Sequence, residues 1–179
     1  MWPPILLAVT IAAVLFLRGQ LVRQRARCDR AWDGVERHLD RRIDLIPQVV
    51  DVITASVSGD LAPLDAVVEA RAHARAARGP IARAVAEGEL THRLQLLLAH
   101  LDAPPERRSS GPISELRRRL AEAEDGIRRA ADHYNASVAT LNATLARIPY
   151  NLIAIAFRIQ PREFFAVDAA DREIPWVRT

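Results

Sequence analysis

The chain has 179 residues, half of them hydrophobic but only 5% aromatic, and a formal net charge of +3. The length allows one anchor-sized segment plus one domain of about 150 residues, and a core drawn from Ala, Leu, Val and Ile favours helices over sheets. All 25 basic side chains are arginine, which excludes P-loop and Schiff-base chemistry, and so small a net charge with no concentrated basic face argues against nucleic acid as a partner.

Residues 1–22 predict a transmembrane anchor. Met1 to Leu17 contain no ionisable side chain, and only Pro3, Pro4 and Thr10 among them are not apolar. Counting on through Leu21 and Val22, with Arg18 snorkelling toward the headgroups, gives the usual span of about 20 residues. Trp2 suits an interfacial position, and Pro3 and Pro4 are tolerated in a first helical turn that lacks partners for its N–H groups. A cleaved signal peptide would carry its charge before the apolar run and small residues at a cut site; here Arg18-Gly19-Gln20 follows Leu17. A buried core helix would need other segments apolar enough to surround it, and none is present. The basic flank Arg18, Arg23, Arg25, Arg27 and Arg30 predicts, by the positive-inside bias, a body on the cytoplasmic side. The lone Cys28 cannot form an intrachain disulfide.

Residues 23–165 predict the helical body. Trp32, Val35, Leu39, Ile43, Ile46, Val50, Ile53 and Val57 form a helical stripe, ending near Ser58-Gly59. Pro47 lies inside it, where it removes the bond to the Ile43 carbonyl and should kink or interrupt the helix. An Ala-rich helix over Pro63 to Arg78 ends at Gly79-Pro80. A further helix over Ile81 to Leu101 takes Ile81, Val85, Leu94, Leu97, Leu98 and Leu101 as its apolar face. The stretch Ala103 to Gly111 reads as the longest loop. Ile113, Leu116, Leu120, Ala123, Ile127, Ala130, Tyr134, Val138, Leu141, Leu145 and Ile148 then make a heptad-like, coiled-coil type stripe that Pro149 stops. Tyr150 to Phe157 is apolar and too short to span a bilayer, so it folds back as a short helix. Pro161-Arg162-Glu163-Phe164-Phe165, with Trp176 in the tail of residues 166–179, suggests docking on the body or on a partner, and docking on the body is the expectation because of the apolar area otherwise exposed. The fold class expected is all-α: an N-terminal transmembrane helix, then an antiparallel four-helix bundle with a short C-terminal helix. Such stripes also permit self-association.

Several motifs carry a resemblance. Arg41-Arg42-Ile43-Asp44-Leu45-Ile46-Pro47-Gln48 resembles the Arg-Arg-x-Asp-Leu-Ile-Pro-Asn signature of the bacterial LemA family. Glu69-Ala70-Arg71-Ala72, Tyr134-Asn135, Leu141-Asn142, Ile148-Pro149-Tyr150-Asn151-Leu152-Ile153-Ala154 and Pro161 to Phe165 are similar to its later motifs, in order, from about Trp32 to Phe165. The resemblance implies one transmembrane helix and a mainly helical bundle, and it brings no catalytic residues. The departures are Gln48 in place of Asn, the Pro104-Pro105 loop, and Glu124-Asp125-Gly126 where a Thr-Glu-Asn-like run is common.

No constellation for chemistry qualifies. A diiron bundle needs two Glu-x-x-His motifs, and only Glu89-Leu90-Thr91-His92 is present. Glu69 and His73 read as a surface pair. Nucleophile and zinc-protease motifs are missing, so a non-enzymatic protein with no cofactor and no metal is expected. The residues singled out as interaction or structural motifs are Arg42, Asp44, Pro47, Asn135, Asn142, Pro149, Asn151, Phe164 and Phe165. Asn135 and Asn142, seven apart, share a face beside the apolar stripe, as Arg42 and Asp44 do on the first helix. Hydrogen bonds from the Asn pair to the first helix would fix register; the alternative is that all four meet water. The function expected is a scaffold or adaptor binding a protein partner at the bacterial inner (plasma) membrane, with lipid binding or membrane remodelling as the alternative.

Overall fold

The computed structural model describes residues 2–56, 62–102 and 111–166. Among them the chain forms five helices: α1 (Pro3–Ser56), α2 (Ala62–Ala76), α3 (Pro80–Asp102), α4 (Gly111–Leu145) and α5 (Tyr150–Phe157). The expected cap at Ser58-Gly59, the Pro104-Pro105 loop and the segment 167–179 lie outside the described residues.

The 54 residues of α1 make a rod about 80 Å long. Its side chains from Pro3 to Ala13 are exposed, Ile5, Leu6, Leu7, Val9 and Ile11 among them. This helix has the length and apolar composition to cross a membrane, and almost none of that stretch is buried within the protein. Burial begins at Leu21 and continues with Cys28, Val35 and Leu39.

Helix α4 runs antiparallel to α1. Trp32 stacks near Tyr134, Arg42 pairs with Glu124, and Arg119 donates to Gln48, so residue numbers rise along one helix as they fall along the other. The late stripe is buried as expected at Leu116, Leu120, Ile127, Tyr134, Val138, Leu141 and Leu145, but Ile148, beyond the helix end, is 80% exposed.

Two apolar cores lie along this pair. One joins Leu21, Val35 and Leu39 of α1 to Ile127, Val138 and Leu141 of α4, and is closed by Ile153 and Ala154 of α5 and by Phe165. The other joins Ile43, Ile46 and Ile53 of α1 to Leu64 and Val67 of α2, Leu90 and Leu94 of α3, and Leu116 and Leu120 of α4. All four longer helices thus meet in the second core, whereas the first is built mainly from α1, α4 and α5.

The α2–α3 turn explains itself chemically. Gly79 sits at φ +81°, open to glycine and strained for other residues. Arg78 Nη1 donates to the carbonyls of Arg75, Ala76 and Ala77, the orphan acceptors at the end of α2. Pro80 then opens α3, where a missing N–H is harmless.

The apolar face expected for α3 is corrected. Leu94 and Leu97 are buried as expected, but Ile81 and Val85 are exposed, and Arg83, Ala84, Glu87 and Leu90 are buried in their place. Arg83 and Glu87 are four apart and bond to each other, so two charged residues share the inner face with the leucines.

Candidate functional site

Arg42 is wholly buried, and the reading that set it beside the stripe facing either Asn or water is replaced. Its guanidinium pairs with Glu87 of α3 and Glu124 of α4, and also donates to the Thr91 hydroxyl at 2.8 Å and the Glu87 carbonyl at 3.3 Å. Glu87, equally buried, accepts from Arg83 Nε at 2.9 Å, and Arg83 reaches Asp40 at 2.9 Å. A buried charge is tolerated only when paired and hydrogen-bonded, and breaking one partner is far costlier than removing both. Here one helix supplies the central cation and two others supply its anions. The layer falls between Leu39 of the first core and Ile43 of the second. It fixes how α3 and α4 sit against α1, which apolar side chains alone leave loosely specified.

Pro47 does not interrupt α1, which is helical from Pro3 to Ser56. The reason is a tertiary contact. Proline leaves the Ile43 carbonyl without its intrahelical donor, and Arg71 Nε, from α2, donates to that oxygen at 3.1 Å. The proline of one family motif and the arginine of another therefore form a single device.

Asn135 and Asn142 do not bond to α1, as expected from their edge position, but to the chain after α5. Asn142 Nδ2 donates to the Arg162 carbonyl at 2.9 Å, and its Oδ1 accepts the Arg162 N–H at 3.0 Å. Asn135 does the same to Phe165, at 2.7 and 2.9 Å. Seven residues of helix rise about 10 Å, which is about what three extended residues cover. The heptad spacing of the two amides thus matches the step from Arg162 to Phe165. Tyr134 adds a bond from its hydroxyl to the Glu163 carbonyl at 2.7 Å, and Arg162 pairs with Asp29 of α1.

Phe165 enters the first core, 1% exposed, with its ring 5.5 Å from that of Trp32 in an edge arrangement. Trp32 also lies 5.2 Å from the Tyr134 ring, so the indole of α1 meets one aromatic ring from α4 and one from the docked segment. Burial pushes the Tyr134 phenol up to about 12, with the Arg162 charge pulling the other way. Burial likewise raises the Cys28 thiol, against a smaller opposing effect of Arg162.

The remaining predicted residues have humbler places. Asp44 is exposed, Phe164 is 37% exposed, and Pro149 stands at the N-terminal cap of α5 without a side-chain bond. Asn151 Oδ1 accepts the N–H of Leu152 at 2.8 Å. Sequence reasoning missed Arg83, Glu87, Thr91, Glu124 and Asp40. A signal existed for Glu87, which stands in register with Leu90, Leu94 and Leu97; Glu124, amid Glu122 and Asp125, reads as one more surface charge.

Glu89 of the lone Glu-x-x-His motif is engaged with Arg93 at 2.6 Å on the surface. Among the described residues no group of three or more His, Cys, Asp or Glu is placed to hold a metal.

No curated protein matches the sequence. The LemA family profile matches residues 31–178, from the start of the Trp32 stripe through the docked segment that Asn135 and Asn142 hold, and the chain belongs to the LemA family.

Proposed function

We propose that this LemA-family protein is a non-enzymatic scaffold or adaptor, held in the bacterial inner (plasma) membrane by a single span over residues 1–22, with its body in the cytoplasm and a protein partner bound there. The observation that carries the reading is the continuity of α1, which is at once the exposed apolar segment and the spine of the folded body. A body built on the same rod as its anchor stands at a fixed height and tilt above the bilayer. Retention of the anchor is supported by Leu21, wholly buried, and by Val14 and Leu17, which pack on the first core. Removing these residues would open that core. Arg18 to Arg30 supply the cytoplasmic bias.

Affinity purification of the full chain from membranes is expected to return a stoichiometric protein partner. Its absence across growth conditions would overturn the adaptor reading. A reporter fused after Thr179 is expected to be active only in the cytoplasm, and activity outside would reverse the topology.

The lipid reading is favoured by one specific feature. Helix α5 packs beside α1, where Arg18 lies 5.1 Å from the centre of the Phe157 ring, at the end of the proposed span. Leu152 and Ile155 of α5, three apart, are 60 and 76% exposed, and Ile148, just before the helix, is 80% exposed. An apolar stripe at that height would sit in the bilayer interface. A fluorophore at Leu152→Cys, in the full chain in nanodiscs, should be quenched by brominated lipids if α5 lies in the interface. Absence of quenching would leave this face to a protein.

A further inference from the structure

The seam between α1 and α4 has two sides, and only one is covered. On the covered side, Asn135 and Asn142 hold the docked segment, and Arg162 crosses to Asp29. On the other side a concavity of about 400 Å³ remains open. Its floor is made of small residues, Ala31 and Gly34 from α1 and Ala130 from α4. Its walls carry Arg27, Arg30, Arg37 and His38 from α1 and His133 from α4. Every ionisable group that lines it is basic.

The origin of this shape is helical periodicity. Residues 27, 30, 34, 37 and 38 fall within one stripe of α1, and 130, 133 and 137 within one stripe of α4. Small side chains where the two stripes approach leave a trough, and arginines at its rim overhang it. Gly126 deepens one wall, because the His38 ring occupies the space a Cβ would take, 2.7 Å from Nδ1. Among the described residues the side chains of Arg27, Arg37 and His133 have no hydrogen bond or ion pair, and that of Arg30 bonds only to the Ala26 carbonyl of its own helix. This contrasts with Arg42, Arg83, Arg118 and Arg162, each of which has a carboxylate. Asp33 on the same helix is outside the lining and pairs with none of them. One stripe of α1 aligns Arg27, Arg30, Arg37 and His38, and the antiparallel packing of α4 adds His133 and the second wall of the trough.

We infer that this trough is a binding site for an elongated ligand bearing two or more phosphate groups. Guanidinium forks are suited to phosphate oxygens. Arg27 and Arg37 are separated by about 15 Å of helix, more than a single phosphate can bridge. The position favours a soluble ligand over a lipid headgroup. Counted from Val22, the lining begins about 8 Å and ends about 24 Å along α1, mostly beyond the headgroup layer. The inference goes beyond the proposed scaffold role; the choice of a soluble ligand rests on the proposed span over residues 1–22, whereas the groove itself belongs to the folded body on either side of a membrane.

The test is calorimetric titration of inorganic tripolyphosphate into the full chain, held in nanodiscs of zwitterionic lipid at physiological salt. Saturable binding is expected. Arg30→Gln/Arg37→Gln should weaken it about tenfold or more, as loss of charged hydrogen bonds does. Gly34→Leu should weaken it similarly by filling the floor with no change of charge; the Cβ there has room, with Arg37 Nη2 at 3.9 Å. Arg23→Gln/Arg25→Gln removes the same charge outside the groove and should change affinity less than about twofold. Equal weakening by both double variants would reduce the effect to diffuse charge and overturn the site. So would the absence of saturable binding, or full affinity in Gly34→Leu. Repeating the titration in nanodiscs with anionic lipid identifies the source. Competition that Arg30→Gln/Arg37→Gln abolishes supports the groove with a headgroup phosphate, and absence of competition supports it with a soluble one.

Discussion

Replacing Arg71 by Met tests whether a side chain from α2 repairs the proline gap in α1. Met keeps most of the aliphatic stem of Arg71, so packing changes little, while the donor at 3.1 Å from the Ile43 carbonyl is lost. A hydrogen bond from a charged donor contributes about 1.5–3 kcal/mol, and partial exposure of Arg71 places the loss near the lower end, about 2 kcal/mol. For a chain of this size that lowers Tm by about 4–8 °C. Pro47→Ala is the complementary change. It restores an N–H four residues beyond Ile43, and an interior proline costs about 3 kcal/mol relative to Ala. Pro47→Ala is therefore expected to raise Tm, and Arg71→Met made on top of it should cost less than about 0.5 kcal/mol, because the carbonyl then has a backbone partner. Thermal melts by far-UV circular dichroism of the four full-length proteins in detergent micelles close the cycle. An equal cost of Arg71→Met in the wild-type and Pro47→Ala backgrounds would refute the argument that the two motifs act as one device.

Other outcomes follow from the two polar constellations. Glu87→Ala, which strands Arg42 and Arg83 without their buried anion, should cost about 3–5 kcal/mol, and combining it with Arg42→Met should cost less than the sum; additive losses by denaturant titration would remove the coupling. Asn135→Ala/Asn142→Ala deletes four bonds to the docked segment, about 2–4 kcal/mol, and should speed maleimide labelling of Cys28 many-fold, since that thiol shares its core with Phe165; an unchanged labelling rate would refute this. The Tyr134 phenol, raised to about 12, binds its proton more tightly folded than unfolded, so its contribution is whole below about pH 10 and is lost as pH rises through 10 to 12. Phenolate absorbance compared between wild type and Tyr134→Phe reads this directly. Glu115 is held at about 2 by its bonds to Arg118 and Arg119, so its carboxylate resonance should shift only near that pH, and any stability it adds is present above the ordinary carboxylate range and fades as pH falls toward 2. A shift centred in the ordinary range would show that these surface pairs do not persist in solution.

Much of the architecture was legible from periodicity. The stripes over Trp32 to Ile53 and Leu116 to Leu145 predict two long helices because burial recurs every three or four residues, and those positions are largely the buried ones. Pro63 and Gly79-Pro80 predict a short helix and its stop because proline and glycine act locally. The same reasoning failed on α3, where Ile81 and Val85 face outward and Arg83 and Glu87 inward. Hydropathy assigns a charge to the surface, and it has no means of seeing that two oppositely charged neighbours and a third from another helix neutralise one another.

Asn135 and Asn142 show the same boundary. Their spacing announces a shared face, and nothing local says whether α1, water or a returning segment fills it. The sequence by itself determined an apolar leader and the helices and their breaks, because each depends on near neighbours in the chain. Only the tertiary structure decided that Arg42 lies inside, that Arg71 supplies the Ile43 carbonyl with the donor Pro47 lacks, that the amides hold Arg162 and Phe165, and that Arg30, Arg37 and His133 share one trough. Those four facts depend on which groups meet across helices, and electrostatic and hydrogen-bond pairing at a distance leaves no period in the sequence.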